Sequence, residues 1–176
     1  MRAPSVLTTP TTPLEHGCRR GVDVWYFDRY AQTGPPGVYA ELIKVAKARV
    51  DIWDRYFTSD DHVVLAHISP GISVRHLFEG SSNATKRAGY RAQIDAANKR
   101  YPHLSFDARY CCRDEGPGFH DRFLIVDDAQ VYSVGGSLNY HYRDDRSTGV
   151  IMLRQAADQL LLLSLFDEYW QRAKVP

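Results

Sequence analysis

Strand-like and helix-like patterns alternate along this chain from Gly21 onward, and that order restricts the folds open to it. Val22 to Phe27 reads as a first strand, and after the break at Gly34-Pro35-Pro36-Gly37 the apolar residues Val38, Leu42 and Val45 recur at helical spacing. Arg49 to Trp53 follows as a strand. It ends in Asp54-Arg55-Tyr56, polar groups at a strand terminus, where open α/β sheets place their chemistry. Thr58-Ser59-Asp60-Asp61 offers an N-cap to a short helix reaching about His67. Ile72, Val74, His76 and Phe78 then alternate with Ser73, Arg75 and Leu77 as a strand. A long helix from about Asn83 to Arg100 carries Tyr90, Ile94, Ala97 and Tyr101 as its buried stripe and is closed by Pro102. Leu104, Phe106, Ala108 and Tyr110 alternate with polar residues as the next strand. Gly149 to Leu153 reads as a late strand, and Ala156 to Arg172 as a final helix with Leu160, Leu163, Phe166 and Trp170 on one side. The predicted fold class is α/β, a mixed β-sheet with helices on both faces.

The chain has 176 residues, 44% of them hydrophobic, which is one domain's worth with enough apolar surface for a core. Residues 1–20 are rich in Thr and Pro and read as a tail or linker, leaving 21–176 as the domain; the tail also suits a connection to a fused or associated domain. Lys and Arg total 22 against 21 acids, a net of +1, so no global field marks a polyanion partner and any such binding must come from a local patch. Lys86, Arg87, Arg91, Lys99 and Arg100 give the long helix a basic side, which in most proteins is simply a solvated face. Cys18, Cys111 and Cys112 have neither CxxC nor disulfide-scaffold spacing, and adjacent cysteines on a strand usually supply one core residue and one bystander. With no signal-peptide core and no stretch apolar enough to span a bilayer, a cytoplasmic location is expected.

The chemistry concentrates in Phe119-His120-Asp121-Arg122-Phe123-Leu124-Ile125-Val126-Asp127 and in Gly135-Gly136-Ser137-Leu138-Asn139. Read as a strand, the first stretch gives His120, Arg122, Leu124 and Val126 one parity, which sets an imidazole and a guanidinium side by side. Asp127-Asp128-Ala129-Gln130 reads as a turn into a strand from Val131 to Val134, a hairpin that returns Ser137 and Asn139 towards His120. A His-Asp-Arg cluster alone is most often a surface ion-pair cluster. The Ser-x-Asn echo raises it to a phosphate site.

The pattern His120-x-Arg122-x4-Asp127 followed by Gly136-Ser137-x-Asn139 resembles the HKD signature of the phospholipase D superfamily, with arginine where that family carries lysine. The resemblance implies a phospholipase D-like sandwich and a phosphodiesterase, with nucleic acids ahead of phospholipids as expected substrates because no lipid-docking segment is evident. It assigns His120, Arg122 and Asp127 to catalysis and Arg122, Ser137 and Asn139 to the substrate phosphate. His120 would attack phosphorus to give a phosphohistidine, and a second histidine would protonate the leaving oxygen. This chain carries one such motif, so a two-fold homodimer bringing two His120 side chains together is expected. Arg122 neutralises phosphate oxygens as lysine does, through a planar fork, and donates no proton to the leaving group. Neither a metal nor another cofactor enters the scheme. Tyr140, Tyr142, Arg143 and Arg146 suit a stacking and phosphate-binding rim, although Asp144 and Asp145 beside them also make an ordinary balanced loop. No acid is found in the position that would support the histidine, and the alternative to an enzyme is a catalytically inactive module that keeps the phosphate pocket and binds nucleic acid or phospholipid head groups.

Overall fold

The computed structural model describes residues 22–27, 37–58, 61–112, 120–136 and 148–176. The predicted tail and the loop carrying Ser137 to Arg146 lie outside these residues. Strands β1 (Val22–Phe27), β2 (Arg49–Trp53), β3 (Ser73–Gly80), β4 (Ser105–Cys112), β5 (Phe123–Val126), β6 (Gln130–Val134) and β7 (Thr148–Leu153) form one seven-stranded sheet in the order β1-β7-β6-β5-β2-β3-β4. Strands β2, β3 and β4 run parallel, whereas β5 lies antiparallel to β2 and continues through β6, β7 and β1 as an antiparallel run. The sheet is therefore mixed, as the element order requires. β2 is its pivot, parallel to one neighbour and antiparallel to the other.

Period-two alternation assigns the two faces. Val50, Ile52, Val74, Phe78, Phe106, Ala108, Tyr110, Leu124 and Val126 point to one side, where helix α1 (Gly37–Ile43), a 3-10 helix (Asp61–His67) and helix α2 (Ala84–Arg100) cover them. Trp53, Leu77, Ile125 and Val131 point to the other, where Phe166 and Trp170 of helix α3 (Ala156–Arg172) close over them. Asn83 caps α2, its side chain accepting from the backbone N–H groups of Thr85 and Lys86. Gly80 ends β3 where a Cβ would stand 2.6 Å from that of buried Tyr110, so only glycine fits.

Helix α3 is fastened by charge as well as apolar area. Arg75 on β3 donates Nε and Nη2 to the buried Asp51 carboxylate at 2.7 and 2.6 Å, and its Nη1 lies 2.9 Å from Asp167 on the helix. The same guanidinium sits 4.9 Å from the Phe166 ring centre. Burial raises the Asp51 carboxyl above its ordinary range, the Arg75 and Arg49 guanidinium groups offsetting only part of that. No helix among the described residues is long and apolar enough to cross a membrane.

Three local expectations change. Val45 lies beyond the end of α1 and is exposed, because the helix stops at Ile43. Leu160, expected on the buried side of α3, is 65% exposed, because at about 100° per residue it stands about 120° round the helix from buried Phe166. Residues His120 to Arg122 precede β5 and are not part of it, although pairing extends one step further where Val134 N donates to Arg122 O at 2.9 Å.

Candidate active site

Antiparallel pairing of β2 with β5 sets Trp53 opposite Phe123, so the residues leaving β2 meet those entering β5. Asp54 N donates to Leu77 O and Glu79 N to Arg55 O, which carries the segment after β2 along the end of β3. His120, Arg122, Asp54, Arg55, Tyr56 and Glu79 thereby converge on one corner of the sheet. Arg55 Nη1 lies 3.2 Å from His120 Nδ1, and Arg55 Nε lies 3.3 Å from Glu79 Oε2. Arg122 Nε stands 3.6 Å from Asp54 Oδ1, and the Arg122 guanidinium is 6.0 Å from the centre of the Tyr56 ring. Asp54 is fully buried and also accepts from Tyr56 N at 3.2 Å, whereas the His120 ring is exposed. The result is an open imidazole with a guanidinium on Nδ1 and a second guanidinium held close by.

The layer beneath is built from histidine. His76 on β3 is buried and hydrogen-bonds to the backbone of Tyr56 and Asp54, which supports the turn bearing the site. Burial, reinforced by His62, lowers His76 to about 3 despite those bonds, and burial lowers His62 to about 4. Both rings are neutral and pack against Phe57, with ring centres 4.8 and 5.2 Å from it, and the Nε2 atom of each is buried without a partner among the described residues. They are interior groups of the fold.

Asp127, grouped by its spacing with His120, stands at the other end of β5. Its carboxylate accepts from the backbone N–H groups of Lys47, Ala48 and Arg49 at 2.9, 2.8 and 2.9 Å. Burial works against the charged form, but those three donors prevail and hold the carboxyl below its ordinary range. Asp127 and Asp128 have φ of 55° and 56°, and Ala129 N donates to Val126 O, so they form a primed turn of the kind that suits a tight hairpin. Arg49 bonds Asp128 from across the sheet.

Of the residues expected at the site, His120 and Arg122 come together and Asp127 stays apart. Ser137, Asn139, Tyr140, Tyr142, Arg143 and Arg146 lie outside the described residues; the chain leading to them is tied at Gly136, whose carbonyl accepts from Tyr39 Oη at 2.8 Å. Arg55 and Glu79 are additions that the motif does not contain. Arg55 was visible as part of the polar end of β2, while Glu79 enters only through parallel pairing of β3. Burial raises the Cys111 thiol to about 11, which argues against a reactive thiolate, and buried Cys112 belongs to the core. No cluster of three or more His, Cys, Asp or Glu side chains suited to a metal gathers among the described residues.

No family model matches the sequence, and no curated protein matches it. Solved structures do. The chain superposes on Nuc of Salmonella typhimurium, described as a phospholipase D family member, with a TM-score of 0.53 at 18% identity, covering 87% of this chain and 95% of that one. It is similar to NucT of Helicobacter pylori with a TM-score of 0.56 at 13% identity, covering 88% and 99%. It is also similar to the archaeal chromatin protein TrmBL2, described as showing a novel mode of DNA binding, with a TM-score of 0.51 at 15% identity; 93% of this chain spans 57% of that one.

Proposed function

From the phospholipase D-like fold that this chain adopts, we propose a phosphodiesterase of nucleic acid that works without a metal, with His120 as the reacting residue. The observation that supports it is the corner itself: an exposed imidazole with Arg55 on Nδ1 and Arg122 held against Asp54 and Tyr56. Two guanidinium groups give the non-bridging oxygens of a phosphodiester charge-assisted donors. The Nε2 lone pair forms a bond to phosphorus as the bond from phosphorus to the leaving oxygen breaks, and that oxygen takes its proton from a second imidazole. Water then displaces the histidine. The second imidazole is His120 of another copy in a two-fold homodimer.

Ser137 and Asn139 complete the phosphate donors, while Tyr140, Tyr142, Arg143 and Arg146 form the rim on which a single strand stacks. Asp127 acts at a distance, by fixing the hairpin that delivers Arg122 and His120. Nucleic acid is preferred over a phospholipid because TrmBL2 binds DNA and no lipid-docking segment is evident in this chain.

The test is hydrolysis of an activated phosphodiester, of single-stranded DNA and of RNA in excess chelator. Turnover by the wild type that disappears in His120→Ala is the expected result. Turnover retained by His120→Ala overturns the assignment. Sedimentation of the wild type should give twice the monomer mass.

A second reading has one specific observation in its favour. Arginine only donates, so the contact at Nδ1 makes that nitrogen an acceptor, and in a neutral ring the proton then sits on Nε2. Such a ring offers a donor to phosphate and no lone pair to phosphorus. A module that binds phosphodiesters without turning them over is what this arrangement, left unchanged, would be. Binding of single-stranded DNA without turnover, weakened in Arg122→Ala, is its signature.

A further inference from the structure

Resting on the reading of His120 as the reacting residue, we propose that Arg55 is a positioning residue that restrains the site by holding His120 in its Nε2–H tautomer. The contact has a built direction. Arg55 Nε is engaged by Glu79 at 3.3 Å, which turns Nη1 towards His120 Nδ1 at 3.2 Å. The backbone on each side is fixed as well, Arg55 O accepting from Glu79 N at 3.1 Å. Glu79 is an acceptor, Arg55 is a donor at every accessible pH, and Nδ1 at the end of the relay is left only the acceptor role.

The chemical consequence is opposite to that of a carboxylate in the same place. An acid against Nδ1 would demand a proton there, leave Nε2 unprotonated and stabilise the imidazolium formed when the ring takes up a proton. Here the proton must leave Nε2 and another must enter Nδ1 before the ring attacks, and the second step requires Arg55 to withdraw. A bound phosphodiester supplies the cause of that withdrawal, because its charged oxygens accept from a guanidinium more strongly than a neutral ring nitrogen does. Arg55 then passes from the imidazole to the phosphate, water protonates Nδ1 as Nε2 gives up its proton, and the nucleophile appears only when substrate is present.

The experiment reads the tautomer directly. Imidazole nitrogens are labelled with 15N and followed by NMR at a pH where His120 is neutral, with His120→Ala identifying its signals among the 7 histidines. Wild type and Arg55→Lys, which keeps a donor, are expected to show an unprotonated Nδ1. The double variant Arg55→Glu with Glu79→Gln replaces the donor by an acceptor without placing two acids together; it is expected to protonate Nδ1. A wild-type ring protonated on Nδ1 overturns the proposal, as does an unprotonated Nδ1 in the folded double variant. If the double variant does not fold, wild type and Arg55→Lys decide, since Nδ1 protonation in either is incompatible with the restraint. The turnover assays on His120→Ala judge the enzyme reading separately, because the tautomer is read without any reaction.

Discussion

The two ends of β5 carry the two halves of one sequence motif, and they are held in opposite ways. At the Asp127 end a carboxylate gathers three backbone N–H groups at 2.8 to 2.9 Å across the sheet. At the His120 end the ring is exposed and meets Arg55 at 3.2 Å, while Arg122 stands 3.6 Å from Asp54. The aspartate is part of the scaffold; the histidine and arginine are presented by it. One sequence motif here divides into an anchored end and an exposed one.

Asp127→Ala is the strongest way to break that contrast. It removes the acceptor for three donors and places alanine at a φ of 55°, where only the turn-forming residues sit comfortably. Since hydrogen bonds to charged groups contribute on the order of 1.5–3 kcal/mol each and are not additive, urea unfolding should show a loss of about 3 kcal/mol. His120→Ala, at an exposed position, should change stability by less than about 0.5 kcal/mol. A loss below about 1 kcal/mol for Asp127→Ala would mean that the two ends are equally loose.

Acid should separate the ends next. His62 and His76 titrate near 4 and 3 in the folded protein against about 6.5 unfolded, so between those limits the unfolded chain binds more protons. Stability from these neutral rings is full above the unfolded value and falls as pH drops through it. Going from pH 7 to pH 6 should cost about 1 kcal/mol for the pair, read as a shift in urea midpoint. Asp127, with its folded value depressed, keeps its contribution until pH falls below about 4. The turn that His76 supports is thus the acid-sensitive side. His76→Gln should flatten the slope between pH 7 and pH 6; an unchanged slope would show that His76 takes up protons in the native state.

The scaffold was largely legible in the sequence because its signals are local. Arg49–Trp53 and Ala156–Arg172 fall where alternation and helical spacing place them, and the stripe of Tyr90, Ile94, Ala97 and Tyr101 meets the core. Local pattern also made the errors. Leu160 lies about 120° round the helix from buried Phe166 and so off the buried face, and alternation through His120 and Arg122 suggested a strand where β5 begins only at Phe123. The site was legible for residues within the motif and not for those beside it. Glu79 reaches Arg55, and Arg55 reaches His120, only because β2 lies between β3 and β5, an order that no short stretch encodes. The roles of Asp127 and of buried His62 and His76 likewise depend on what faces them.

Arg122→Lys sharpens the contrast with the smallest effect. Lysine keeps the positive charge near Asp54 and loses the planar fork, so it separates ion pairing within the protein from recognition of a phosphate. Asp54 is buried, and Tyr56 N already donates to it, which limits its dependence on Arg122. Stability should therefore stay within about 0.5 kcal/mol of the wild type. Affinity for a single-stranded oligonucleotide should fall severalfold, because one charged partner remains but the second oxygen loses its donor. The fall should shrink as salt rises if both side chains act mainly through charge. A stability loss above about 2 kcal/mol with affinity unchanged would make Arg122 a second anchor, as firmly tied as Asp127, and would leave His120 and Arg55 alone to receive the phosphate.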